Sequence, residues 1–256
     1  MGISERKSRL RANNSIVPQS AAPYRRKAPR VMRGAFIRYG VVKTAWVRYT
    51  VFRRTKERQA VAMNPIIENI VTRRSIRSYL DKPIAPEILG EILRAASYAP
   101  SAMGMQTRRM TAIQGREGIK KVNDAIREAL RSIPITEKTN PYIISLIEKA
   151  QSPDSEFLYG APAYVIITDE ESNLSAMADS TLAAGCLMLA AHAYGIGSCW
   201  LNQVPGMTQL PPIKALLREL GLPEEHRAYS SIVLGYAAGE LPEAAERKDR
   251  VTIIGS

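Results

Sequence analysis

From Asn64 onward the apolar positions fall into regular patterns. Ile66, Ile67, Ile70 and Val71 recur at helical spacing behind Asn64, a side chain suited to capping, and Pro65, whose fixed φ suits a first turn. Arg74–Ile84 reads as a loop. Pro86 then opens a second helix that turns Ile88, Leu89, Ile92, Leu93 and Ala96 toward a core. Residues 97–107 read as a loop, 110–113 as a short strand, and 116–131 and 141–150 as helices. Ala163–Thr168, a β-branched run behind Pro162, predicts a buried strand. The segment 175–194 is apolar almost all round, which predicts a helix buried on every side, at a domain centre or a subunit interface. No Asp, Glu, Lys or Arg occurs between Thr181 and Ile213. A strand at 198–201, a helix at 212–220 and a strand at 230–235 complete an α+β or α/β layered domain.

Charge divides the chain differently. Residues 1–62 carry 16 Lys or Arg against two acids, a balance of +14, while the remainder is at −2, giving the net +12. The basicity therefore belongs to an N-terminal extension, not to the patterned domain, expected at 63–256. Within 31–58 a basic residue recurs at every fifth position, from Arg33 to Arg58. Each step turns a helix by about 140°, which scatters the charges instead of gathering them on one face as an interfacial helix requires. Two readings remain: a disordered basic tail, or translation starting at Met63. A nucleic-acid-binding role for the extension would show steep salt dependence and vanish on truncation to Met63. No DNA- or RNA-binding motif is present in it.

Two cysteines, Cys186 and Cys199, cannot build a disulfide framework, and two histidines make no metal cluster. No metal site is expected, and a cytoplasmic setting is. The longest uninterrupted apolar run, near Leu187–Ala191, falls far short of the roughly 18 residues of a membrane span. Cys199 reads as a small core residue because no cation lies near it in sequence, and His192 as a hydrogen-bonded core residue.

Four segments carry candidate chemistry. Arg73-Arg74-Ser75-Ile76-Arg77 offers three guanidinium groups and a hydroxyl to a phosphate, although cations also favour a helix C-terminus. Ala99-Pro100-Ser101-Ala102-Met103-Gly104-Met105-Gln106 has the small residues that let a backbone approach a flat ligand, or simply forms a connecting loop. Phe157-Leu158-Tyr159-Gly160-Ala161-Pro162-Ala163 precedes a strand. Gly195-Ile196-Gly197-Ser198-Cys199-Trp200-Leu201-Asn202-Gln203 follows a helix, lacks a third Gly, and is no Rossmann fingerprint.

In this order and spacing, the four segments closely resemble the nitroreductase family over residues 64–250. The resemblance implies an α/β/α layered fold with a mostly antiparallel central sheet. It also implies a homodimer that binds FMN at the subunit interface. Arg73, Arg74, Ser75 and Arg77 would hold the phosphate and ribityl end. Pro100, Ser101 and Ala102 would pass along the isoalloxazine, and Gln106 would bond ribityl or ring atoms. The backbone of Leu201, Asn202 and Gln203 would lie by the flavin N5, and Arg247 and Lys248 would close over the phosphate. NADH or NADPH would reduce the flavin, which would pass electrons to a nitroaromatic, quinone or similar small-molecule acceptor. No side chain would be catalytic in its own right, since the cofactor carries the chemistry.

This chain departs from the family where Gly104 replaces Asn and Thr107-Arg108 replace Pro-Trp. A lost amide hydrogen bond is worth about 0.5–1.5 kcal/mol, up to roughly tenfold in affinity. A flavin-free family member is the corresponding alternative.

Overall fold

A computed structural model describes residues 63–248 and 250–254. The extension 1–62 lies outside the described residues, and the elements below belong to one compact unit within Thr50–Val251. In chain order they are α1 (Pro65–Thr72), α2 (Pro86–Ser97), β1 (Arg109–Gln114), α3 (Arg116–Arg131), α4 (Pro141–Ala150), β2 (Ala163–Glu170), α5 (Ala176–Ala193), β3 (Gly197–Leu201), α6 (Gln203–Gly206), α7 (Pro211–Glu219) and β4 (His226–Gly235).

The four strands form one sheet in the order β1-β2-β4-β3, every pairing antiparallel. Side chains alternate across it. Val165, Ile167, Ile232 and Leu234 face a layer made by α2 and α5, whereas Tyr164, Ile166, Val233 and Leu201 face α3, α6 and α7. The result is the expected α/β/α sandwich.

Local chemistry sets the helix starts. The Asn64 and Asn140 side chains accept hydrogen bonds from Ile66 N and Tyr142 N, both at 2.9 Å, and each is followed by proline. Two features differ from the sequence expectation. β4 begins at His226, four residues earlier than its apolar run, and its pairing with β2 shifts register between Ile167 and Thr168. That irregularity breaks the alternation that would have announced the strand's first half. A four-residue helix, α6, also follows β3 directly where none was expected.

The dry helix α5 has one covered face and one open one. Ala183, Ala184, Leu187 and Ala191 pack against the sheet and α2, while Met177, Thr181 and Leu182 are exposed. Burial on every side therefore does not occur within a single chain. By length and composition α5 would also pass as a membrane span, but its packed face is that of a core helix. The apolar stripe of α1, running beside α5, is likewise exposed: none of its residues is buried.

Close approach fixes where β4 ends. A Cβ on Gly235 would stand 2.6 Å from Pro162 Cδ and 2.9 Å from Tyr79 Cδ1, both on stiff groups. Replacing Gly235 with Ala should cost about 1–3 kcal/mol through overpacking. Urea denaturation of the variant against the parent checks this, and an unchanged midpoint would contradict it.

Candidate flavin site

The arginine segment leaves α1 and lies along the outer edge of β3. Ile76 N donates to Ser198 O at 3.0 Å, and Ser75 forms a parallel bridge with Ser198. A short edge strand can accept only limited pairing, and here that pairing brings the arginines beside Ser198. Arg74 Nη1 donates to Val71 O at 2.8 Å and to Arg73 O at 2.9 Å, capping the end of α1. Arg73 Nη1, Arg74 Nε and Ser198 Oγ are buried and lack a hydrogen-bond partner among the described residues. Three orphaned polar atoms in so small a region suit an anion with several acceptor oxygens. Arg77 is exposed and lines a cavity of about 300 Å³ with Ser75, Ala237, Ala238 and Glu240.

Cys199 and His192 flank this segment. Burial pushes the Cys199 thiol up, with Arg77, Arg73 and a hydrogen bond from Ser75 opposing. The cations absent from its sequence neighbourhood are thus present in space. Cys199 is nonetheless a buried core residue. His192 is only half-buried, and its Nε2 lies 2.9 Å from Thr72 Oγ1. Burial lowers its pKa, with Arg73 and then Arg74 adding to the effect.

At the far end of β3, Leu201 O accepts from Ser231 Oγ at 2.8 Å. Asn202 is exposed, and its carbonyl starts α6 by accepting from Gly206 N at 2.7 Å. Gln203 Oε1 is buried without a partner among the described residues.

The loop 100–106 is anchored elsewhere, on the first turn of α5. Ala102 N donates to both carboxylate oxygens of Asp179, at 3.1 and 3.2 Å. Ser101 Oγ accepts from Gln106 N at 3.1 Å, closing the loop on itself. Gly104 sits at φ 68° inside a 3-10 turn over Ala102–Gly104, and Met103 and Gln106 also have positive φ, at 50° and 53°. Two non-glycine residues in the left-handed region are costly unless the surroundings hold them.

They are held by residues that sequence reasoning missed. Arg108 Nη1 donates to Pro100 O at 3.0 Å, and Nη2 reaches the carbonyls of Ser97 and Ala99. Thr107 Oγ1 donates to Asp169 Oδ1 at 2.6 Å. Asn173 Nδ2 bridges Asp169 at 3.2 Å and Asp179 at 3.5 Å, so one amide stands between two buried carboxylates. Thr107 and Arg108, departures from the family pattern, therefore both work as fasteners of the loop. One signal was visible: Asp179 lies just outside the charge-free stretch, on a helix otherwise without a polar stripe.

Asp179 and His192 are 13 residues apart on α5, so the loop and the arginine segment stand about 20 Å apart along its axis. A ligand touching both must be extended, or two chains must contribute. Arg247 and Lys248 are exposed on the C-terminal segment.

Comparison with known proteins decides the family. The sequence profile of the Nitroreductase family matches residues 70–236. The chain belongs to the nitroreductase family. A putative NADH dehydrogenase/NAD(P)H nitroreductase of Archaeoglobus fulgidus is 30% identical over 178 residues, covering 70% of this chain and 88% of that protein. A nitrobenzene nitroreductase of Ectopseudomonas oleovorans is 28% identical, covering 70% of this chain and 90% of its own. Among solved structures, a nitroreductase with bound FMN from Bacteroides fragilis superposes with a TM-score of 0.68 at 32% identity, covering 75% of this chain and 100% of that one.

The anchoring of this nitroreductase's loop yields an expected outcome. Asp179→Ala leaves the Ala102 amide unpaired and should destabilise the protein by about 1–3 kcal/mol. Asp179→Asn retains an acceptor oxygen and should cost less. Equal losses in the two variants, read from urea denaturation, would show that the carboxylate does not anchor the loop.

Proposed function

We propose that the protein is an FMN-dependent oxidoreductase that takes hydride from NADH or NADPH and reduces small-molecule acceptors. One observation carries the reading: the arginine segment pairs with the edge of β3, presenting orphaned buried donors at one end while Leu201-Asn202-Gln203 follows at the other. Relatives support it by name, including an FMN reductase [NAD(P)H] of Bacillus subtilis at 28% identity. The donor set fits the cofactor. Arg73, Ser75 and Arg77 would hold the phosphate, with Arg74 shaping the end of α1 and Arg247 and Lys248 supplying further charge. Pro100, Ser101, Ala102, Gly104 and Gln106 would border the ring, and the backbone at Asn202 and Gln203 would meet its reactive edge.

Bound there, FMN would supply two-electron chemistry in a ping-pong cycle, with nitroaromatics and quinones as acceptor classes. The protein's own residues bind, orient and exclude water. Buried guanidinium donors act strongly because little water competes with them. The held loop 100–106 presents its backbone without further ordering on binding, a saving in entropy that offsets the missing amide at Gly104. That argument favours a flavin-binding member over a flavin-free one.

A homodimer belongs to the same proposal. Ile66, Ile67, Ile70 and Val71 on α1 are 47–69% exposed, and Met177 and Leu182 on α5 are 68% and 48% exposed. So much apolar surface on adjacent helices is a surface for a partner subunit. The catalytic unit is taken as 63–256, in a cytoplasmic setting, and a nucleic-acid role for the extension is not favoured.

The purified protein should show a flavin visible spectrum, as isolated or after FMN is added, that bleaches with NADPH under argon. A protein that stays colourless with excess FMN would overturn the proposal. Arg77→Ala should weaken FMN binding by about tenfold or more, the loss of one charge-assisted bond. Riboflavin affinity, measured by the same fluorescence titration, should not move, because riboflavin has no phosphate.

A further inference from the structure

We propose that His192 is a positioning residue of the phosphate end: it holds the end of α1, from which Arg73 and Arg74 leave, and takes up a proton when a phosphate settles on those arginines. This inference rests on the flavin reading above and extends it to a residue outside the binding segments.

The geometry begins with α1. It has only eight residues, and none of them is buried. So short a helix is marginal unless something fastens it. Two polar contacts join it to α5. Asn69 Nδ2 donates to Leu189 O at 3.0 Å, and one turn further on Thr72 Oγ1 lies 2.9 Å from His192 Nε2. The direction of the second bond is fixed within α1. The Thr72 hydroxyl gives its single proton to Glu68 O, at 2.7 Å, so it accepts from His192. Nε2 therefore carries a hydrogen whether the imidazole is neutral or charged. Nδ1 is the nitrogen left to titrate, and it makes no hydrogen bond among the described residues.

Charge around the ring is one-sided. Burial lowers the His192 pKa, and Arg73 and then Arg74 add to the effect. Glu68 of α1 and Glu87, Glu91 and Arg94 of α2, the other charged groups on the helices beside α5, do not act on it. From Thr181 onward α5, β3 and α6 carry no Lys, Arg, Asp or Glu, and Cys186, Tyr194 and Cys199 are their other titratable groups. The charged residues of β2 and β4, Asp169, Glu170, His226 and Arg227, lie toward the opposite end of α5, where Asn173 joins Asp169 to Asp179. An anion on Arg73 and Arg74 offsets the repulsion that keeps the imidazole neutral, so phosphate and proton favour each other's binding. Affinity for a phosphate then rises as pH falls from the midpoint of the loaded protein to the lower midpoint of the free one, and levels off on either side.

The chain has two histidines, so proton NMR of the full-length protein, freed of flavin, resolves two imidazoles, and His192→Gln assigns them. On adding FMN the His192 titration midpoint should move up by about half a pH unit or more. Riboflavin, which has no phosphate, should leave it in place. By reciprocity the parent should gain about threefold or more in FMN affinity over riboflavin affinity between about pH 8 and about pH 5.5, relative to His192→Gln. Ionisation of the FMN phosphate itself is common to both proteins and cancels. At about pH 8 His192→Gln, whose amide still donates to Thr72 Oγ1, should bind FMN within about twofold of the parent. His192→Leu, which removes that donor, should bind it about threefold or more weakly. A midpoint that FMN leaves unmoved, or that riboflavin moves equally, would overturn the inference. So would a His192→Leu variant that matches the parent. In each of these cases FMN binding by the parent would leave the flavin reading standing, whereas a parent that binds no FMN would remove both.

Discussion

The hydrogen bond from Ile76 N to Ser198 O is the contact on which the site depends. It fastens the first part of the segment between α1 and α2 to the exposed edge of the sheet, while Leu80 N to Tyr236 O at 2.9 Å and Ala238 N to Ser78 O at 3.0 Å hold the part that follows. With it come the guanidinium groups on either side of Ile76, and the half-buried position of Arg73 and Arg74 follows. The approach is close. A Cβ on Gly197 would stand 2.8 Å from Ile76 Cγ1, so the glycine that opens β3 is also what lets the loop lie flat against it. Tyr79 continues the contact, its hydroxyl donating to Ile76 O at 2.7 Å and its ring pressing on Gly235, and burial pushes that phenol's pKa far up.

At the other end of α5 the solution is different. Two carboxylates, Asp169 and Asp179, are buried close together and satisfied by neutral donors: backbone amides, a threonine hydroxyl and the Asn173 amide. Buried charges are costly unless their hydrogen bonds are made. Here the bonds made are the ones that hold the loop 100–106 in a conformation that includes two left-handed non-glycine residues. Arg108 completes the arrangement by taking the carbonyls at the end of α2. The loop is thus shaped from both sides by ionic groups that do not face each other.

How much of this was legible beforehand follows from the range of each interaction. Caps and prolines are local signals, so α1 and α2 begin where Asn64 and Pro86 announce them. The buried strands β2 and β3 were legible from composition alone. The first half of β4 was not, because His226 and Arg227 are polar and the irregularity opposite Thr168 interrupts the alternation. The site divided along the same line. The arginine segment, the small-residue loop and the end of β3 could be named from motifs. The bonds that hold them, Asp179 to Ala102 and Thr107 to Asp169, join residues more than sixty positions apart and leave no local trace. The exposed face of α5 was half legible. Its dryness was plain, but whether a sheet or a second subunit covers it depends on packing that periodicity does not report.

The pairing of Ser75 with Ser198 also sets an order of assembly. The two residues lie more than a hundred positions apart, and the strand that Ser75 joins follows α5 in the chain. Closing so long a loop is slow relative to forming hairpins and helices. The arginine segment is among the first of the described parts in the chain, and its edge contact waits on one of the later ones. The arrangement of the arginine segment therefore depends on a long-range contact, and a ligand bound there would reward a sheet that is already complete.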